Sequence, residues 1–399
     1  MAERPPRLSM WTYPWDVLAL GAGVVAGELT RRAGLNTISL AAAYHAGRFL
    51  QPRGPLRHSY FPEDGTVYFR PDPRRWEGLA LTPRLASLVE ERGDALAQMI
   101  ALREAGGLAV ACWTVLLHNM RLGLAHPEAV VRNALGDALP FALCPSNEAV
   151  RAYARTLLAD LTHRYRPDAV ELETPGFMGW AHGYHHEKDG VGLTAEDDFL
   201  LSLCFCPSCL ARSGRAGVDG RAAGRAARTL LAAALARAVP APLWPDFHAR
   251  GPAAFAAHPA LMEYVLWRVE PVTSLVAEIR AETHPGTRVH VIEGGEGWRL
   301  GADLPALAAA ADGILLCVYD RSAEAVGQAV AEARAAVGPE RFLGAGLRVF
   351  HPEMADAAAL ARHARAALAA GAEGINFYNY GLIPAARLDW VGQAASALR

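Results

Sequence analysis

Eight short aliphatic runs recur along the chain, and alanine-rich stretches of helical character separate them. The runs span 8–13, 37–44, 108–116, 168–174, 288–293, 313–319, 342–349 and 374–380. Helical patterns occupy 15–33, 82–105, 146–164, 259–283, 304–311, 323–337 and 355–370. Strand and helix in strict alternation imply a parallel sheet, because each parallel crossover needs a covering helix. Eight such units predict a (β/α)₈ TIM barrel. A doubly wound sheet would alternate too, but the glycine-rich turn that cradles a dinucleotide does not follow Tyr13. The expectation is one barrel across 1–399, with the long 175–285 connection as an insertion after the fourth strand. A second long connection, 46–81, is rich in proline, arginine and aromatics, and such loops usually form functional walls.

With 399 residues, 52% of them apolar, the chain can bury one large core. A net charge of -2 gives no footprint for nucleic acid. No long uncharged apolar span predicts a membrane helix. The opening residues lack the apolar centre of a secretory signal, so a reducing, cytoplasmic setting is expected. In that setting six cysteines read as thiols rather than as a disulfide framework. Three of them form Cys204-Phe205-Cys206-Pro207-Ser208-Cys209, and Cys144 stands upstream in Leu143-Cys144-Pro145. Four thiolates suffice for a closed tetrahedral Zn²⁺ site that leaves no position open for chemistry, hence a structural clip. Cys112 and Cys317 lie in apolar runs and read as buried small hydrophobes. The Gly-, Arg- and Ala-rich stretch 212–228 is the candidate for a mobile piece.

A barrel of this kind places its chemistry at the C-terminal ends of the strands. The fourth run ends Val170-Glu171-Leu172-Glu173, and alternation sends both carboxylates inward, Glu173 at the rim and Glu171 a layer deeper. Crowded, buried acids keep one member protonated, which suits a general acid. The competing expectation is an acid locked to an arginine such as Arg348. Glycoside hydrolysis needs a second carboxylate, for which Glu171, Glu293, with Glu296 beyond it, and Asp320 are the candidates. Tyr13, His45, Trp113, His118, Asn119, His186, Arg348, Tyr378 and Tyr380 are expected to contact substrate, with Trp11 and Tyr44 nearby. Tyr378 and Tyr380 should share one face. The cluster His182, His185, His186 and Glu187 offers an alternative, a metal-dependent lyase or hydrolase. A third reading is a barrel that binds carbohydrate without turning it over.

These residues resemble the zinc-containing β-galactosidases of glycoside hydrolase family 42. The resemblance rests on Leu143-Cys144-Pro145 opening a helix, Arg164-Tyr165 near its end, Glu173, the Cys204–Cys209 cluster, and His258-Pro259 followed by Trp267. It covers mainly residues 144–283. It implies Cys144, Cys204, Cys206 and Cys209 as ligands of structural zinc, Glu173 as acid/base, and a carbohydrate substrate. The chain departs from the pattern twice. Leu172 stands where the family has asparagine before the acid/base, and Arg348-Val349-Phe350 stand where it has its nucleophilic glutamate. The resemblance does not carry sugar specificity, and homo-oligomer formation is left open.

Overall fold

The computed structural model describes residues 5–54, 57–182, 187–295, 297–319 and 321–398. Eight parallel strands close into a barrel: β1 (Arg7–Thr12), β2 (Thr37–Tyr44), β3 (Ala109–Val115), β4 (Ala169–Glu173), β5 (Arg288–Glu293), β6 (Gly313–Cys317), β7 (Phe342–Arg348) and β8 (Gly374–Tyr378). Each strand pairs with the next, and β1 closes the ring by pairing with both β8 and β2. The (β/α)₈ expectation is therefore met, and each predicted strand is found within two residues of its ends.

The pleat sorts the side chains. Facing outward, Ile38 and Leu40, Val110 and Cys112, Val170 and Leu172, and Ile314 and Leu316 are buried beneath the helices. The register brings the inward set level: Trp113 opposite both Ala41 and Glu171, Glu171 opposite His290, and Gly346 opposite both Cys317 and Asn376. Gly346 is a glycine for a reason of space. A Cβ there would lie 2.8 Å from the ring of Trp11, which crosses the barrel to reach β7.

The covering helices are α1 (Pro14–Leu20), α2 (Ala95–Glu104), α3 (Glu148–Tyr165), α4 (Ala195–Ser202), α5 (Pro207–Arg215), α6 (Gly220–Ala236), α7 (Pro259–Trp267), α8 (Val269–Glu282), α9 (Leu304–Ala310), α10 (Ala323–Val337), α11 (Ala357–Ala369) and α12 (Ala386–Ser396). Three predicted helices are divided in the structure, the 259–283 segment at Arg268 between α7 and α8. The 15–33 segment stops at Gly21, whose φ of +94° no helix accommodates, and the 82–105 segment stops at Gly93, φ +95°. Asp94 then caps α2 by accepting the Ala97 N–H at 2.9 Å. The stretch expected to be mobile is helical. Asp219 caps α6, and Ala223, Ala227 and Leu231 form a buried stripe at four-residue spacing. The long connection after β4 thus carries α4 to α8, of which α8 packs back between α3 and α9 as an ordinary barrel helix. Among the described residues no helix is long and apolar enough to cross a membrane.

Candidate active site

The C-terminal strand ends surround a cavity of about 1340 Å³. Its walls are chemically distinct. One is aromatic, formed by Trp11, Tyr44, Trp113, Tyr319 and Tyr378, and another carries His45, His118 and His182. Glu173, the last residue of β4, stands between them. Burial raises its pKa above the ordinary glutamate value; a hydrogen bond from the Trp113 indole N–H and the nearby His182 oppose that rise without cancelling it. The carboxyl is therefore biased toward its protonated form beside an open cavity. Thr174, immediately after it, has a φ of +51°. That conformation is rare for a β-branched residue, and strain of this sort gathers at functional sites.

Three phenols meet next to the acid. The Tyr13 hydroxyl lies 3.2 Å from that of Tyr44 and 3.1 Å from that of Tyr378. Tyr13 itself is sealed inside, stacked on Trp15 with ring centroids 4.3 Å apart, so it supports the wall from behind. Continuing from Tyr44, His45 stacks on it and on His118, with centroids at 4.5 and 4.2 Å, and His182 meets His118 edge-on at 4.7 Å. Burial and the two neighbouring imidazoles push the His118 pKa down to about 2, and burial lowers that of His45. This wall is thus uncharged at neutral pH where those two rings line it.

The remaining acids are tied up in different ways. Glu171 is fully buried beneath the cavity; it accepts from Arg7 and from the Ser39 hydroxyl, and Arg7 also touches His290 at 3.1 Å. The arginine that locks it is Arg7, not Arg348. Glu293 lines the cavity, but its carboxylate accepts the N–H groups of Gly295 and Gly297 at 2.8 and 3.2 Å and so organises its own loop. Arg348 lines the cavity with its guanidinium 4.5 Å from the Tyr319 ring centroid and a 2.9 Å ion pair to Glu353. Asp320, Glu296, His185 and His186 lie outside the described residues.

Besides Tyr13, which stands behind the wall, two expected contacts are placed elsewhere. Tyr380 does not share a face with Tyr378. The strand ends at Tyr378 and the chain turns at 380–382, so the alternation stops; Tyr380 instead donates to Glu28 and receives Arg53. Asn119 caps the helix Met120–Ala125 through its side chain and is buried away from the opening. Phe49, Asp64 and Phe141 also line the cavity, although none of them stands at the end of a barrel strand. Phe49 and Asp64 belong to the aromatic-rich 46–81 connection, whose composition was their only signal. Asp64 is bound to the backbone N–H groups of Ala46 and Arg121 at 2.9 and 2.7 Å. Cys317 lines the cavity as well, but burial raises its thiol pKa to about 12, which leaves it a poor nucleophile.

A second centre lies beside the barrel. Cys144 enters from the segment before α3, Cys204 and Cys206 from the α4–α5 turn, and Cys209 from the first turn of α5. All four are buried free thiols, and their sulfurs lie within 4.8 Å of one another, an arrangement able to hold a metal ion. Cys144 Sγ stands 3.6, 3.4 and 3.8 Å from those of Cys206, Cys209 and Cys204.

No protein-family model matches the chain, and no curated protein does. Solved structures do. The fold is similar to the glycoside hydrolase domain of PgaB (BpsB) from Bordetella bronchiseptica, with a TM-score of 0.58 and 15% identity over 98% of this chain and 97% of that one. It is similar to the catalytic domain of a β-amylase from Paenibacillus polymyxa (TM-score 0.55, 12% identity, 97% and 95% covered). It also resembles α-L-fucosidase isoenzyme 2 from Paenibacillus thiaminolyticus (0.54, 13%), of which the match spans 49% of the length and 98% of this chain. At these identities the likeness shows the (β/α)₈ barrel fold; it does not single out glycoside hydrolase family 42.

Proposed function

We propose that the protein is a glycoside hydrolase acting on a small glycoside or oligosaccharide at the C-terminal mouth of its barrel. One observation carries this: a glutamic acid held toward its protonated form by burial, at the end of β4, faces a cavity walled by aromatic rings. Such a carboxyl can protonate a departing glycosidic oxygen, and rings with adjacent hydroxyls suit the faces and edges of a sugar. The structural neighbour named a glycoside hydrolase domain and the β-amylase make the same fold a precedent for carbohydrate chemistry. Glu173 is the acid in this reading. Glu293 and Asp320 are the candidates for the second carboxylate, since Arg348 ends β7. Glu171, locked to Arg7, acts as a structural support. A substrate's own N-acetyl group, assisted by Glu173, is the alternative to a second acid.

The four cysteines fit Zn²⁺. A zinc–sulfur bond of about 2.3 Å places the corners of a tetrahedron about 3.8 Å apart, and the Cys144 sulfur lies 3.4 to 3.8 Å from the other three. The ion would be held by Cys144, Cys204, Cys206 and Cys209 and would clip the α4–α5 turn to the start of α3. Thiols kept reduced for metal fit a cytoplasmic setting.

The test is a panel of activated aryl glycosides and short oligosaccharides offered to the wild type and to Glu173→Gln. Turnover by the wild type and its loss by at least about 10³-fold in the variant on unactivated substrates is expected, the upper part of what general acid catalysis supplies. Equal rates in the two proteins remove the assignment, and ligand binding without turnover by the wild type replaces it with the carbohydrate-binding reading.

A further inference from the structure

Arg268 sits where α7 gives way to α8, and the proposed catalysis does not use it. It is 1% exposed. Its guanidinium lies 4.5 Å from the ring centroid of Phe177 and 5.4 Å from that of Phe199. Nη1 donates to the Arg299 carbonyl at 2.9 Å, whereas Nε and Nη2 have no acceptor among the described residues. Among the described residues it has no carboxylate partner. A cation taken wholly out of water without an anion costs several kcal/mol, and the flanking rings offset only part of that.

The packing around Arg268 leads to the four cysteines. Burial pushes the guanidinium pKa down to about 10, and Tyr264, Cys209, Cys204 and Cys144 would oppose that fall in their ionised forms. The packing explains the proximity. The Arg268 N–H donates to the Tyr264 carbonyl at 3.2 Å, and the Tyr264 hydroxyl reaches the carbonyl of Cys204 at 2.5 Å. Phe199, under the guanidinium, belongs to α4, which leads directly into Cys204. The cysteine cluster poses the complementary problem. Four thiolates around a divalent ion leave a net charge of about -2 in a buried place. Two backbone N–H groups approach those sulfurs, Arg132 to Cys204 and Cys209 to Cys206, each at 3.4 Å, and neither carries a charge.

We propose that Arg268 is the balancing cation of a metal–tetrathiolate centre, a positioning residue that stabilises the loaded cluster and tunes its sulfurs without ligating the ion. Each buried charge answers the other: among the described residues Arg268 has no carboxylate partner, and the buried cation nearest Cys144 in sequence, Arg151, is already paired with Glu278. Partners outside the ligand set commonly govern affinity in this way.

The inference rests on the metal reading of the four cysteines, and one experiment separates the two. Wild type, Arg268→Lys and Arg268→Met are stripped of metal and titrated with Co²⁺, which is then displaced by Zn²⁺ in competition with a chromophoric chelator. The wild type is expected to show tetrathiolate visible and charge-transfer bands. Arg268→Met is expected to bind at least about tenfold more weakly, within the range known for outer partners, with charge-transfer bands at longer wavelength because the sulfurs have lost a neighbouring cation. Arg268→Lys should recover both. Unchanged affinity and bands in a folded Arg268→Met overturn the inference. A wild type that takes up neither ion overturns the metal reading and this inference with it. If Arg268→Met does not fold, Phe199→Leu decides: it removes a ring and keeps the cation, so retained affinity and band position support the charge role, and weakened binding with shifted bands overturns it.

Discussion

At the scale of single residues, surroundings divide the work among carboxyls that the sequence presents alike. Glu171 and Glu173 are two residues apart on one face of β4, yet one is closed in an ion pair and the other opens on the cavity. The Trp113 indole N–H hydrogen-bonds the Glu173 carboxylate and so favours its ionised form. Trp113→Phe removes that donor. A hydrogen bond to a charged group contributes about 1.5–3 kcal/mol, and one pKa unit is about 1.4 kcal/mol. The variant is therefore expected to shift the alkaline limb of the kcat/KM profile upward by about one unit, read from rates between pH 4 and pH 9; a downward shift would contradict the role given to the indole. Beneath the site, Arg7→Met leaves a buried carboxylate without its cation. A loss of about 3 kcal/mol is expected in denaturant unfolding, and adding Glu171→Gln should restore much of it.

At the scale of elements, the strands were legible because their signal is local and periodic. The 37–44 and 288–293 runs coincide with β2 and β5 to the residue. The helices were legible as helical but not in their divisions, because Gly21 and Gly93 act through backbone conformations that an apolar pattern does not register. α6 was hidden by composition: its buried face is alanine, which looks the same in a linker until packing selects a side. The cysteine clip joins this unit to α3. Asn147 caps α3 by accepting from Ala149 and Val150 at 3.0 and 3.2 Å, and its own N–H donates to the Cys144 carbonyl at 3.0 Å. Asn147→Ala is expected to cost about 1 kcal/mol, measured by thermal or denaturant unfolding. Metal removal should act more widely, since ligand binding to the folded state is folding free energy. A chelator is expected to lower the thermal midpoint and to open the 207–236 region to limited proteolysis before the barrel is cut; identical digestion with and without chelator would argue against a metal clip.

At the scale of the molecule, the fold followed from counting alternations, whereas the site did not. Glu173, Trp113 and Tyr378 were reachable because each ends or faces inward from a strand. Tyr380 was misplaced because the alternation ends with β8, and Phe49 and Asp64 were missed because they arrive on a loop whose return over the barrel no periodicity encodes. The same architecture sets a pH dependence for the whole fold. Burial raises Glu173, and it raises Asp16 to about 7 against the Tyr13 N–H, Arg53 and Gln51. Unfolded carboxyls ionise near pH 4, so these two contribute no penalty below that point and destabilise the fold as the pH rises through their raised values. The thermal midpoint is expected to fall between pH 5 and pH 8, and both Asp16→Asn and Glu173→Gln should flatten part of that fall, the latter at the expense of turnover.

In the proposed hydrolysis a proton-bearing Glu173 drives the reaction. Its direct measurement is the titration of that carboxyl by infrared difference between wild type and Glu173→Gln, set beside the wild-type kcat/KM profile on a hydrolysed glycoside. A protonated-carboxyl band that persists above the ordinary glutamate range and disappears along the alkaline limb of the rate profile is the expected result. A band lost at the pH of an ordinary exposed glutamate, with hydrolysis continuing well above it, would contradict the account.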